Sequence, residues 1–272
     1  MVHLVMEKNM SKFNLNKGGF IMKKLVLVLT LLFSALSFSA EKLYVGTNAE
    51  FKPYEYLEDG KMIGFDIELM EKIGEELGYE ISWINMSFDG LLPALQLGKV
   101  DAVIAGLTQT PERQKAVDFS IPYMFIFSSK HIIIVNEKSD IKIKEELKDK
   151  NIGIQLGAIQ EQFVNELEGK AKVYDSWTGA LMDLKAGKID SVIIDELSSK
   201  AYLENLTGIK QIDTLVDEQP AASIAFRKNE KELVEKVNKK IIELRDNGEY
   251  LKILEKYFPA NVEEFKAAYE KK

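Results

Sequence analysis

Segments typical of strands and of helices alternate along the chain, and this alternation constrains the fold most strongly. Residues 43–47 have the apolar character of a buried strand, and further strands are predicted over residues 80–84 and 100–105. Helices are predicted between these strands. The first helix carries apolar residues at helical spacing and is predicted to end at Gly78, and the second is predicted to begin with Asp89 as its N-cap. This order predicts an α/β fold with a mostly parallel sheet flanked by helices.

The alternation restarts near residue 130. Strands are predicted over residues 130–135, 151–155, 172–174, 191–194 and 223–226, and helices over residues 145–150, 159–167, 177–186, 232–244 and 249–257. Residues 92–101 and 180–190 share one pattern: a helix, a Gly-Lys turn, an aliphatic residue and an aspartate, followed by an apolar strand. This internal repeat predicts two lobes of similar architecture.

The predicted lobes are discontinuous in sequence. Lobe 1 is assigned residues 40–122 and 223–272, and lobe 2 is assigned residues 128–217. The two short crossings between them, residues 123–127 and 218–222, are the predicted hinges.

The amino-terminal segment has the pattern of a secretory signal peptide. A basic start leads into an almost wholly apolar run, residues 25–36, and small residues precede a predicted cleavage after Ser39 or Ala40. The apolar run is shorter than the roughly 20 residues that a membrane span needs. Residues 22–39 are therefore predicted to be a cleaved signal peptide, which implies a periplasmic mature protein. Residues 1–21 precede this signal and are predicted to be a mis-annotated upstream extension.

Composition excludes several classes of site. The chain has no cysteine and two histidines, His3 and His131. Metal sites and acid–base sites built from these residue types mostly need several of them in one place, so we expect no metal, no cofactor and no catalytic residues. A formal net charge of −7 without a basic block argues against nucleic acid as a partner.

Residues 106–113, Gly-Leu-Thr-Gln-Thr-Pro-Glu-Arg, follow a predicted buried strand and begin a helix. Thr110 is placed to cap this helix. Backbone amides at a helix start, together with the guanidinium of Arg113, can bind both oxygens of a carboxylate. On spacing alone, a surface ion pair of Arg113 with Glu112 or Asp118 is equally compatible.

Other predicted strand ends could face the same ligand. Residues 155–160 have the pattern of a strand, a glycine turn and a helix start. An ordinary strand–helix turn without a ligand would have the same pattern. Asp195 ends an apolar strand, where α/β sheets place ligands, and suits an ammonium group; a plain helix N-cap is the alternative. Phe51, Tyr54 and Phe88 could form an aromatic wall, and each could equally belong to the core.

In these segments the chain resembles the periplasmic solute-binding proteins of polar amino acid ABC importers, family 3 of the bacterial extracellular solute-binding proteins. The resemblance covers essentially the whole mature chain. It rests on residues 46–56, 64–67, 88–95, 110–113, 118–120 and 244–248. It implies a two-lobe type II periplasmic binding protein fold that closes on a free L-amino acid. It also implies a monomer that delivers this amino acid to an ABC permease in the inner membrane.

The resemblance further implies which residues hold the amino acid backbone. Arg113, with the amides of Thr108 and Ile159, would bind the α-carboxylate. Asp195, the Thr108 hydroxyl and the Gly106 carbonyl would bind the α-ammonium.

The ligand side chain would be enclosed by the rings of Phe51 and Phe88. Polar side chains would lie near its tip: Asn48, Glu50, Gln155 and Gln160. The resemblance is nearest to the binders of basic amino acids, so arginine or lysine is favoured, followed by glutamine or histidine. A cyclohexadienyl (prephenate or arogenate) dehydratase on the same fold is the alternative; it needs a general acid beyond the residues already assigned to ligand binding.

Overall fold

The computed structural model describes residues 40–124, 129–204, 206–217 and 222–270. The predicted signal peptide, the predicted upstream extension and most of both predicted hinges lie outside the described residues. No helix among the described residues is long and apolar enough to cross a membrane.

The described residues form thirteen strands and nine α-helices. The strands are β1 (Glu41–Thr47), β2 (Glu50–Phe51), β3 (Glu55–Glu58), β4 (Lys61–Ile63), β5 (Tyr79–Asn85), β6 (Ala102–Val103), β7 (Asp118–Phe119), β8 (Ser129–Asn136), β9 (Asn151–Gln155), β10 (Lys170–Tyr174), β11 (Ser191–Asp195), β12 (Ile209–Asp217) and β13 (Ala225–Phe226). The helices are α1 (Phe65–Leu77), α2 (Phe88–Gln96), α3 (Pro111–Ala116), α4 (Gln160–Glu166), α5 (Trp177–Lys185), α6 (Glu196–Leu203), α7 (Lys231–Asp246), α8 (Glu249–Tyr257) and α9 (Val262–Glu270).

Two five-stranded sheets carry the fold. The first has the order β5-β1-β6-β13-β7 and the second β10-β9-β11-β8-β12. In each sheet the first three strands of this order are parallel, as predicted, and the last two add in antiparallel fashion. Each sheet is therefore mixed, and parallel pairing is confined to the strands joined by crossover helices.

The predicted internal repeat has a common hydrogen-bonding role in both sheets. The carboxylate of Asp101 accepts a hydrogen bond from the backbone N–H of Tyr44 at 3.0 Å. Its counterpart Asp190 accepts one from the backbone N–H of Asn151 at 2.7 Å. In both cases the aspartate of the repeat links the start of one strand to the neighbouring strand.

Helix α1 shows how the predicted pattern becomes structure. Its apolar face is buried, and Gly78 ends it in the left-handed conformation with φ 81°. Helix α2 differs from its prediction because Ser87 occupies the N-cap position and Asp89 lies inside the first turn. An acidic residue in the first turn still interacts favourably with the helix dipole.

Several elements have no counterpart in the sequence prediction. The three-stranded sheet β2-β3-β4, strand β12 and helix α9 were not predicted, and the helix predicted over residues 145–150 is a short 3₁₀ helix, Lys144–Leu147. Strands of two to four residues carry almost no periodic signal. Strand β12 mixes polar with apolar residues and contains a register shift between Gln211 and Asp213.

Candidate functional site

A cavity of about 190 Å³ is lined by residues from the elements of both large sheets. It brings together ten of the eleven residues predicted for the site: Asn48, Phe51, Phe88, Gly106, Thr108, Arg113, Gln155, Ile159, Gln160 and Asp195. The exception is Glu50, whose side chain is exposed and does not line the cavity. The prediction that Glu50 lies near the side-chain tip of a ligand therefore has no support from its position.

Arg113 is held at the start of α3 and reaches across the cavity. The Thr110 hydroxyl accepts a hydrogen bond from the Arg113 backbone N–H at 3.2 Å, so Thr110 caps α3 as predicted. The guanidinium donates from Nη1 to the Thr108 carbonyl and from Nη2 to the Gly157 carbonyl, both at 3.0 Å. It also lies 5.5 Å from the ring centroid of Phe88. One cation thereby contacts both strand–helix turns that the sequence singled out.

The charge of Arg113 has no carboxylate partner within ion-pair distance among the described residues. Asp118, one of the two surface partners considered from the sequence, instead pairs with Lys228 at 2.7 Å. Burial lowers the pKa of Arg113 to about 10. The guanidinium is thus cationic at neutral pH, half-desolvated and bonded only to neutral carbonyls, which favours an anionic ligand group beside it.

Gly106 turns the chain after β6 in a conformation that suits glycine. Its φ is +56°, and a Cβ added there would lie 2.7 Å from Cε1 of Phe51. Its backbone N–H lies 2.9 Å from Oδ2 of Asp66 and 3.2 Å from the hydroxyl of Tyr123, which itself donates to Asp66 at 2.6 Å. This network fixes the Gly106 backbone at the cavity wall.

Asp195 has both roles that the sequence left open. Its Oδ1 accepts the backbone N–H of Ser198 at 3.0 Å and so caps α6, while the residue also lines the cavity. Burial raises the pKa of Asp195 to about 6, against the opposing effect of the bonds at the helix start. A cation brought into the cavity would favour its ionised form.

Two amide side chains lie on the cavity wall with their nitrogens turned toward the protein. The Gln155 amide donates to Oδ1 of Asn48 at 2.9 Å, and the Asn48 amide donates to the Met86 carbonyl at 2.9 Å. The Gln160 amide nitrogen lies 3.2 Å from Nδ1 of His131. Oε1 of Gln160 is buried and has no hydrogen-bond partner among the described residues. The carbonyl oxygens of Gln155 and Gln160 therefore remain as acceptors.

Two aromatic residues, Phe51 and Tyr54, line the cavity and also contact the core. Phe51 stacks on Tyr54 with ring centroids 5.0 Å apart, and both line the cavity. Phe51 also packs against the buried clusters of both large sheets. Next to it, the hydroxyl of Tyr202 on α6 donates to the backbone carbonyl of Glu50 on β2 at 2.9 Å.

Tyr54 lines the cavity, as the aromatic-wall hypothesis proposed, but three other wall residues were not assigned from the sequence: Glu55, His131 and Trp177. Glu55 is fully buried, and burial, followed by the nearby charge of Asp66, raises the pKa of Glu55 well above its usual range. Burial thus favours the protonated form of Glu55. A charged residue type between aromatic neighbours was the one available signal for Glu55, and nothing local marks His131.

Comparison with known proteins gives a consistent result. Residues 43–260 match the family described as bacterial extracellular solute-binding proteins, family 3. The arginine-binding extracellular protein ArtP of Bacillus subtilis (strain 168) is 37% identical over 225 residues, which cover 80% of this chain and 86% of ArtP.

Two solved structures are similar over most of their length. An ancestral arginine-binding protein bound to arginine is 41% identical with a TM-score of 0.73, covering 80% of this chain and 98% of that one. An ancestral arginine-binding protein bound to glutamine is 42% identical with a TM-score of 0.74, covering 80% and 97%.

Proposed function

The chain belongs to the bacterial extracellular solute-binding proteins of family 3, and from this premise we propose that it captures a free L-amino acid and delivers it to an ABC importer. The observation that carries the proposal is the pairing of Arg113 and Asp195 on the wall of one cavity. A cation and a potential anion placed in this way match the α-carboxylate and α-ammonium of a zwitterion. Thr108, Gly106 and Ile159, which line the same cavity, supply the backbone groups of this site.

For the side chain of the ligand we propose arginine first, then lysine, then glutamine or histidine. Gln155 and Gln160 keep carbonyl oxygens as acceptors, and acceptors suit a guanidinium, which has only donors. The Phe51 and Phe88 rings suit a long stem that ends in a cation. ArtP is named for arginine, which agrees with this order.

We propose that closure uses the two predicted lobes and hinges. The strands of the first large sheet come from residues 41–119 and 225–226, and those of the second from residues 129–217. The chain thus passes between the sheets at the two predicted crossings. Because Arg113 contacts groups of both sheets' elements, a ligand bound there would favour the closed arrangement.

The proposed setting is the periplasm, with the predicted signal peptide removed and the protein acting as a monomer beside an inner-membrane permease. The family is extracellular by description. The relatives matched are named as binding proteins and not as enzymes, so the chain is a binding protein rather than a dehydratase.

Titration calorimetry of residues 40–272 with the common L-amino acids tests the proposal. We expect one ligand class, basic amino acids, to bind much more tightly than the others. Absence of heat and of a melting shift for every amino acid would refute it, and product formation from prephenate or arogenate would favour the dehydratase alternative.

A further inference from the structure

His131 is a buried cavity residue without an assigned role. It lies on β8, is 3% exposed, and lines the cavity beside Gln160. Its Cα partner across the ladder to β11 is Asp195. An imidazole in this position touches the proposed ligand site from the side of the second sheet.

The hydrogen bonds around His131 determine its tautomer. The amide nitrogen of Gln160, 3.2 Å from Nδ1, is a donor only, so Nδ1 must accept. The proton of the neutral ring is then on Nε2, where it donates to the hydroxyl oxygen of Ser129 at 3.3 Å. Donation in this chain of hydrogen bonds runs from the Gln160 amide to His131 and from His131 to the Ser129 hydroxyl.

The direction of these hydrogen bonds decides which atom of the Gln160 amide has no hydrogen-bond partner. With its nitrogen bonded to His131, the buried Oε1 remains without a partner among the described residues. A buried acceptor is costly unless a donor reaches it. A guanidinium carries only N–H donors and can satisfy it in any orientation, whereas an amide or ureido group also carries an oxygen and can do so in only some orientations.

Resting on the proposed function, we propose that His131 is a specificity-determining positioning residue. Its Nδ1 acceptor fixes the amide orientation of Gln160, and that orientation selects a guanidinium-bearing amino acid over an amide or ureido analogue.

The groups that face His131 are few. Gln160 and the ring of Phe163, 5.1 Å away between centroids, face it from α4. Asp195 lies opposite on β11, and the β12 partner is the apolar Leu215. Burial lowers the pKa of His131 to about 4, so the ring is neutral at physiological pH. When it is protonated below about pH 4, Nδ1 becomes a donor and the Gln160 amide must reverse.

Arginine and citrulline are the discriminating probes, because they share the backbone groups and the stem and differ at the tip. We would measure the ratio of their dissociation constants by calorimetry for the wild type, His131→Phe, His131→Asn and Ser129→Ala. His131→Phe keeps an aromatic ring against Phe163 and removes the acceptor, and His131→Asn retains an acceptor near the Nδ1 position. Asp195 binds a group common to both probes, so its titration cancels in the ratio.

We expect His131→Phe to reduce the preference for arginine by about tenfold or more, the effect of losing one hydrogen bond to a charged group. His131→Asn should stay close to wild type, and Ser129→Ala should show a smaller loss. The preference of the wild type for arginine should decrease as the pH is lowered through about 4. A folded His131→Phe with the wild-type ratio, or a His131→Asn as impaired as His131→Phe, would overturn the inference and leave the proposed function standing. A wild type that binds citrulline as tightly as arginine would do the same, and a wild type that binds no amino acid would remove both.

Discussion

Ligand affinity should depend on pH through Asp195, the acid proposed to hold the α-ammonium. In the ligand-free protein, burial raises the pKa of Asp195 to about 6. An ammonium group in contact with the carboxylate would bring that pKa down toward or below its ordinary value. Binding below pH 6 must therefore displace a proton, and each pH unit costs about 1.4 kcal/mol, or tenfold in affinity.

The expected result is quantitative. Affinity should be nearly constant from pH 8 to 7 and about tenfold weaker at pH 5, because about nine-tenths of the ligand-free Asp195 is then protonated. At pH 6 about half a proton should be released for each ligand bound. Calorimetry in buffers of different ionisation enthalpy measures both quantities in one experiment.

Asp195→Asn is the matched control. Asparagine keeps the N-cap of α6 and removes the charge, so this variant should bind weakly and without the pH slope. It also separates Asp195 from Asp66, whose pKa burial likewise raises to about 6 without contact with the cavity. A wild-type affinity that stays constant between pH 8 and 5, or a slope of the same size in Asp195→Asn, would refute this role of Asp195.

The raised pKa of Asp195 also makes the stability of the ligand-free protein depend on pH, in the direction opposite to that of ligand affinity. Because its folded-state pKa is above the ordinary value, ionised Asp195 destabilises the fold. Its contribution to stability is fully present below pH 4 and is lost as the pH rises through about 6. Ligand-induced stabilisation should therefore be larger at pH 7.5 than at pH 5.

Three further variants test other parts of the site. Arg113→Met should weaken binding of every amino acid by about 3 kcal/mol or more, because two charged hydrogen bonds are lost. The melting temperature should stay within a few degrees of wild type. Selective loss of one ligand would contradict this prediction. Gly106→Ala should lower both affinity and melting temperature, because its Cβ would lie 2.7 Å from Phe51 Cε1 at a φ of +56°. Calorimetry and a thermal melt indistinguishable from wild type would show that the turn is less constrained than its geometry indicates. Tyr202→Phe removes the hydrogen bond to the Glu50 carbonyl and should weaken all ligands equally, by about 1 kcal/mol, as seen in a ligand panel; a change of ligand preference would indicate direct contact instead.

The sequence by itself determined most of the longer elements and some of their caps. The helical spacing of α1, the Gly78 end and the Thr110 cap depend on residues within one or two turns of each other, so they can be predicted from a local pattern. The internal repeat predicted two lobes of similar architecture from its pattern alone. In both large sheets its aspartate, Asp101 or Asp190, bonds to the strand beside it. The identification of Arg113 needed the additional information of a family resemblance, since spacing left a surface ion pair equally open.

Tertiary structure alone decided which candidates meet. Arg113 reaches the Gly157 carbonyl 44 positions away, and Gln155 reaches Asn48 across 107 positions. Such contacts depend on how two sheets face each other, and no local periodicity records that arrangement. For the same reason Glu50, two positions from Asn48, turned out to lie off the cavity. His131, which precedes the apolar run of β8, became part of the wall because its strand pairs beside Asp195.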